Sequence, residues 1–388
     1  MERRYFDWAA AAPPETAVST LLEMEVPFGN PSSKHTEGRR ARKALEDARQ
    51  RCAAVLEVPA ERLYFTSCGT ESNALVLHSL LVRQKRYSGG AALPALLYSA
   101  VEHPSIRENA LLLERLGFPV FCAGVEGDGR VSERSLSRII AKQGKPRLTA
   151  IMAVNNETGA VMDMPKLTKF LRNIDGPPIH IHSDLVQAVG KIPLDIQRWD
   201  LDSASFSAHK LGGPRGIGLL YLRKPLEPIY TGGGQEGGVR PGTENTRGAL
   251  ALAECLERRA HPAVVAETYA LAVERWKLLI SALTSMERCR LIPVEREAED
   301  PRFSPFILQA AFHGIPGEVM VRSLDDAGFA VSTGSACSSG AKTRPVLAAM
   351  GLDDTLSFEG FRISQGWSTG VEDIEALIEA IGKILREL

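Results

Sequence analysis

The chain has 388 residues, too long for one core and suited to about two domains, with room inside to enclose a small molecule. Its 44% hydrophobic and 24% charged residues are those of an ordinary globular protein. Forty-six basic residues against forty-seven acidic ones leave a formal charge of -1, which excludes a global field for nucleic acid or a membrane surface.

No apolar run nears the roughly 18 residues of a membrane span. The opening Met1-Glu2-Arg3-Arg4-Tyr5-Phe6-Asp7 lacks the apolar stretch of a signal peptide, so a cytoplasmic protein is expected, with no membrane partner. The cysteines Cys52, Cys68, Cys122, Cys255, Cys289 and Cys337 lie far apart, without a CxxC pair or a zinc-site spacing. A reducing compartment fits, no metal site is expected, and each cysteine stands alone.

In chain order, Ala and Leu at helical spacing predict a helix over Arg40 to Leu56. A strand over Arg62 to Thr66 then leads through Ser67-Cys68-Gly69-Thr70 into a helix over Thr70 to Arg86. Backbone N–H groups at such a helix start, with the Thr70 hydroxyl, make an anion site, although the same residues also read as an ordinary strand-turn-helix junction. Strands at Leu96 to Ala100, Thr149 to Val154, Ile179 to Ser183, Asp202 to Ser207 and Gly216 to Leu222 alternate with helical stretches. That is the pattern of a mostly parallel sheet covered by helices. Two glycine-rich runs, residues 211–216 and 232–238, mark loops that pass close to something else. A helical region over Thr246 to Leu283 leads into a second α/β unit with strands near Phe306 to Phe312 and Gly328 to Val331. Val371 to Leu388 reads as an amphipathic helix.

Phe206-Ser207-Ala208-His209-Lys210 closes one of these strands, and ligands of open α/β sheets bind beyond the carboxyl ends of strands. Alone, Lys210 reads as a solvated loop charge, and Asp184, at the end of the preceding strand, as a helix N-cap. Together they meet the needs of pyridoxal phosphate (PLP), an amine for a Schiff base and a carboxylate that keeps the pyridine nitrogen protonated. Ser207 and His209 add donors for the phosphate.

With these pieces in order, the chain resembles the cysteine desulfurases, class V aminotransferase relatives of fold-type I. The motifs that carry the resemblance are Asp7-Trp8-Ala9-Ala10, Gly29-Asn30-Pro31-Ser32-Ser33, Thr70-Glu71-Ser72-Asn73, Glu102-His103, Asn155-Asn156-Glu157-Thr158-Gly159 and Ser207-Ala208-His209-Lys210. Further on come Arg240-Pro241-Gly242-Thr243-Glu244-Asn245, Gly334-Ser335-Ala336-Cys337 and Arg362-Ile363-Ser364. The resemblance implies a large PLP-binding domain over 16–259 with a mostly parallel seven-stranded sheet. It also implies a smaller α/β domain, formed by 1–15 and 260–388, that carries the cysteine loop.

It further implies roles. Lys210 anchors PLP and serves as the α-proton base, Asp184 pairs with the pyridine nitrogen, Gln187 bonds the ring hydroxyl and His103 stacks on the ring. Gly69, Thr70, Ser207 and His209 hold the phosphate, and Thr243 reaches the phosphate of a neighbouring subunit in a homodimer. Asn156 lies between cofactor and substrate, and with Arg362 binds the substrate carboxylate, Arg362 by its bidentate fork.

Cys337 lies among small residues, Ser332 to Gly340, which suit a loop that swings. As the family's nucleophile it attacks the sulfur of L-cysteine, leaving alanine and a persulfide for an acceptor such as an iron-sulfur scaffold protein. A selenocysteine lyase or another class V enzyme is the alternative.

Three features depart from the family pattern. Cys68 stands where a glycine is usual, and Leu185 and Val186 replace a smaller pair, with Val186 expected against the cofactor ring. The sequence also reaches its last residue soon after Ile374, without the tail that housekeeping relatives use to dock a scaffold, which leaves the acceptor open.

Overall fold

A computed structural model describes residues 3–23, 25–83, 93–334 and 344–388. In chain order the elements are β1 (Arg4–Tyr5), α1 (Thr16–Glu23), α2 (Thr36–Leu56), β2 (Leu63–Thr66), α3 (Gly69–Arg83), β3 (Leu96–Ser99), α4 (Pro104–Arg115) and β4 (Val120–Ala123). There follow α5 (Glu133–Gln143), β5 (Leu148–Ala150), α6 (Met164–Arg172), β6 (His180–Asp184), β7 (Ser203–Ser207), β8 (Gly218–Leu222), α7 (Thr246–Arg259) and α8 (Pro262–Ser285). The last part holds β9 (Cys289–Ile292), β10 (Ile307–Phe312), α9 (Gly317–Asp326), β11 (Phe329–Ala330), α10 (Pro345–Ala349), α11 (Asp354–Glu359), β12 (Gly360–Ser364) and α12 (Val371–Glu387).

The seven-stranded sheet has the order β2-β8-β7-β6-β5-β3-β4. β4, β3, β5, β6 and β7 run parallel, and only β8 is antiparallel to both its neighbours. Because side chains alternate along a strand, the sheet feeds two apolar layers. Leu63, Phe65, Leu97, Leu219 and Tyr221 enter the layer beneath α2, α6 and α7. Tyr64, Leu96, Tyr98, Leu220 and Leu222 enter the layer with α3 and α4.

A three-stranded antiparallel sheet, β12-β10-β9, packs Leu308, Phe312, Phe361 and Ile363 against Trp276 of α8 and Ile374, Leu377 and Ile381 of α12. Residues 6–9 link the two parts. Ser364 N–H donates to Phe6 O at 2.8 Å, while Phe6 itself lies in the smaller core.

The α/β class and the seven-stranded sheet are as the sequence implies, but one strand is shorter. β5 ends at Ala150, whereas alternation predicts a strand to Val154. The backbone N–H of Met152 is taken at 2.8 Å by the Glu102 carboxyl, and this side-chain acceptor interrupts the ladder. The helical region over Thr246 to Leu283 is two helices, broken where Pro262 opens α8 and has no N–H to continue α7. No helix of the described residues is long and apolar enough to cross a membrane.

Candidate active site

Parallel strands bring their carboxyl ends to one edge, and the segments that follow β3, β5, β6 and β7 converge there. β2 also points that way, because Thr66 and Ser207 both lie level with Gly218 of the antiparallel β8. A cavity of about 240 Å³ at this edge is lined by Gly69 and Thr70 after β2, His103 after β3 and Asn156 after β5. Asp184 and Gln187 from β6, Ser207, His209 and Lys210 from β7, and Arg362 of β12 complete the wall. Of the residues singled out in the sequence, Thr243 is exposed and lies outside this lining. Cys337 lies outside the described residues.

Lys210 follows β7 in a single tight turn and donates from Nζ to Ala10 O at 2.8 Å and also to Ala9 O. Asp184 is buried at the end of β6; Oδ1 accepts from Val186 N–H at 2.9 Å and Oδ2 from Asn73 Nδ2 at 2.8 Å. Asn73, on the second turn of α3, is fully buried and uses its whole bonding capacity. Its Nδ2 also donates to Ser105 Oγ at 2.8 Å, and its Oδ1 accepts from Ser205 Oγ at 2.6 Å and His182 Nε2 at 2.9 Å.

Donor direction fixes the tautomers here. An amide oxygen only accepts, so His182 carries its proton on Nε2, and Nδ1 accepts from the Ser203 hydroxyl at 2.9 Å. Burial brings the His182 imidazole down to about 3, with His180 adding to the effect, so the ring stays neutral. On the other side Ser105 Oγ, already accepting from Asn73, gives its proton to His103 Nδ1 at 2.8 Å. The same nitrogen caps α4 by accepting from Ser105 N–H at 3.1 Å. Burial lowers His103, while the Asp184 carboxylate pulls it back up.

At the opposite wall, α3 points its first turn into the cavity, where unpaired N–H groups favour an anion. Gly69 packs closely there: a Cβ would meet Val186 Cγ2 at 2.8 Å and force that side chain to shift. Ser207 Oγ lies 2.8 Å from His209 Nδ1, and burial, with Lys210 next, holds His209 down at about 4. Cys68 and Val186 also line the cavity.

Arg362 is buried and donates from Nη1 to Asn156 O at 2.8 Å and from Nη2 to Asp7 Oδ1 at 2.6 Å. Its Nε is buried with no partner among the described residues. A guanidinium with a spare buried N–H beside a cavity is a ready donor to a ligand carboxylate.

Glu102 and Lys191 were not singled out for roles. Glu102, fully enclosed, accepts from Met152 N–H and from the Ser99 hydroxyl, and burial pushes it up to about 8, so it is a neutral acid at pH 7. Lys191, also buried, donates to Gln187 Oε1 at 2.7 Å. The one sequence signal for it is a charge inside the apolar run Ala188-Val189-Gly190-Lys191-Ile192.

Residues 4–377 match the family model described as aminotransferase class-V. The chain belongs to the class V aminotransferase family. Within that family it is 32% identical to a protein of Dictyoglomus turgidum named cysteine desulfurase IscS, over 99% of this chain and 95% of the relative. Among solved structures a NifS-like protein superposes with a TM-score of 0.88 at 30% identity, covering 100% of both chains. A second, titled SspA in complex with cysteine, gives 0.77 at 27% identity over 93% of this chain and 98% of that one. The class V match covers the whole of the cavity wall, since Ala9 and Arg362, its first and last residues, both fall inside the matched span.

The donor set fits PLP, the cofactor of this family. One amine, one buried carboxylate, a neutral imidazole, an amide donor and a helix start with no space for a Cβ stand around one cavity.

Proposed function

We propose that the chain is a PLP-dependent cysteine desulfurase that converts L-cysteine to L-alanine and collects the sulfur as a persulfide on Cys337. The observation that carries this reading is the convergence of Lys210, Asp184, His103, Gln187 and Arg362 on one cavity, in a chain similar over its whole length to named cysteine desulfurases. Bound there, PLP supplies an electron-poor ring into which the electrons of a broken Cα–H bond delocalise. Lys210 holds it covalently, Asp184 keeps the ring nitrogen protonated, Gln187 donates to the ring hydroxyl and His103 covers one face. Gly69, Thr70, Ser207 and His209 hold the phosphate.

Arg362 and Asn156 hold the substrate carboxylate, which sets the α-hydrogen toward Lys210 Nζ. Lys210 Nζ, once freed, takes that proton as general base. The Cys337 thiolate attacks the substrate sulfur; an S–S bond forms, the Cβ–S bond breaks, and protonation of the carbon fragment yields alanine. The sum is L-cysteine plus the Cys337 thiol giving L-alanine plus the Cys337 persulfide.

We assign 16–259 to the PLP-binding domain, and 1–15 with 260–388 to the domain that brings the cysteine. Thr243, exposed on this chain, is assigned to the phosphate of the partner in a homodimer. Cys52, Cys68, Cys122, Cys255 and Cys289 are free thiols, in keeping with a reducing cytoplasm. An iron-sulfur scaffold is the proposed kind of acceptor.

The test is alanine release from L-cysteine by the purified, PLP-loaded protein. Cys337→Ala is expected to abolish it while leaving the cofactor's visible band, and Lys210→Ala to abolish both. Alanine release at native rate by Cys337→Ala would overturn the assignment.

A further inference from the structure

The chain leaves β6 through Leu185-Val186-Gln187-Ala188-Val189-Gly190-Lys191, a stretch of apolar residues with a lysine at its end. Gly190 takes φ +70°, and a Cβ there would meet Leu211 Cδ2 at 2.6 Å and Arg259 O at 3.1 Å. This tight turn returns Lys191 beneath Gln187, four residues earlier, where it is only 3% exposed. Burying an ammonium costs several kcal/mol unless a counter-charge or a full set of acceptors receives it. Among the described residues Lys191 pairs with no carboxylate: its bond is to Gln187 Oε1 at 2.7 Å, and the charges that act on it are the cations Lys210 and Arg362. Burial, with those two cations adding repulsion, brings its ammonium down to about 7.

A lysine held so unfavourably needs a reason beyond packing. Gln187 is gripped at both ends, because Lys191 as an ammonium only donates and Ala9 O, 2.8 Å from Gln187 Nε2, only accepts. The amide therefore cannot turn over, and the second N–H of Nε2 remains for the cavity that Gln187 lines.

We propose that Lys191 is a positioning residue for the cofactor: acting through Gln187, it presents a fixed N–H donor to the ring hydroxyl and, with its charge, favours that oxygen as an anion. The inference rests on the PLP reading above.

The experiment is a spectrophotometric pH titration of the PLP-loaded protein, following the proton-dependent visible band. Loss of the cation and loss of the oriented donor both favour the protonated cofactor, so Lys191→Met is expected to move the midpoint up by about one pH unit. Lys191→Arg, which keeps charge and donors, is expected to restore the native midpoint. Where Lys191→Met fails to fold or load, Lys191→Gln, which keeps a donor without the charge, carries the comparison and is expected to move in the same direction by less. A loaded variant whose midpoint stays within about 0.3 unit of native overturns the role of Lys191. Absence of any visible band from native protein given PLP overturns the PLP reading instead.

Discussion

Replacing Asn73 by Asp tests the polar network behind the site with a change of one amide nitrogen to oxygen. The native Nδ2 donates to Asp184 Oδ2 and Ser105 Oγ, each at 2.8 Å, in a position with no solvent exposure. The substitution removes a hydrogen bond to a charged group, worth about 1.5–3 kcal/mol, and sets two carboxylates face to face. At about 4 Å between charge centres and an effective dielectric constant of about 20, their repulsion is about 4 kcal/mol. The pair escapes by taking up one proton, which at pH 7 costs about 1.4 kcal/mol for each of the roughly three pH units above a carboxyl's ordinary value. The expected deficit is thus about 4 kcal/mol at pH 7, a large part of the 5–15 kcal/mol that holds a typical domain together. The sign follows from linkage. The folded variant binds a proton that the unfolded chain does not, so its stability falls as pH rises between about 4 and 7. Urea unfolding of native and variant proteins without added PLP, at pH 5, 6 and 7, measures this. A deficit below about 1 kcal/mol at pH 7, or one that does not change with pH, would refute the placement of the Asn73 donor against Asp184.

Two further changes address the neighbouring acid and the guanidinium. Glu102 lies near 8 when folded against an ordinary value of 4.5, so native stability contains a part that is complete below about 4.5 and is lost as pH rises toward 8. Glu102→Gln keeps the shape and removes the charge, so its urea midpoint is expected to gain on that of the native protein steadily from pH 5 to 8; parallel curves would show that Glu102 is already ionised. Arg362→Lys keeps a cation but loses the fork, a loss of about 1.5–3 kcal/mol on the substrate carboxylate. Initial rates are expected to show KM for L-cysteine about 10- to 100-fold higher, and an unchanged KM would remove Arg362 from substrate binding.

Much of this site is legible in the sequence because its members are punctuated by strand ends. Ser207-Ala208-His209-Lys210 and Asp184 each terminate a β-rich run, and the rule that ligands gather at carboxyl ends places them together without any contact being known. The supports were harder to read. Asn73 sits on α3 like any polar helical residue, and only folding shows that it meets His182 and Ser205 from two other strands. β4, β9 and β12 are not among the strands that the sequence marks. Arg362 was therefore found by its motif, while its partners Asp7 and Asn156 O depend on long-range pairing. Lys191 escaped because a single charge in an apolar run carries no period.

The position of Lys210 illustrates how far the chemistry depends on the ends of the chain. Its ammonium donates to the carbonyls of Ala9 and Ala10, which lie outside the sheet that carries it. Those carbonyls are themselves fixed from two sides. Ala9 N–H donates to Ser364 Oγ at 3.0 Å, on β12, and Ala12 N–H donates to His209 O at 2.9 Å, in the turn beside Lys210. The same nearby residue, Asp7, holds the Nη2 of Arg362. Residues 6–12 therefore touch both the amine and the guanidinium, and Arg362 stands on β12 opposite Gln309 of β10. The distance between amine and guanidinium, which a small amino acid must span, is decided by contacts more than three hundred residues apart in sequence, such as Asp7 with Arg362 at a separation of 355.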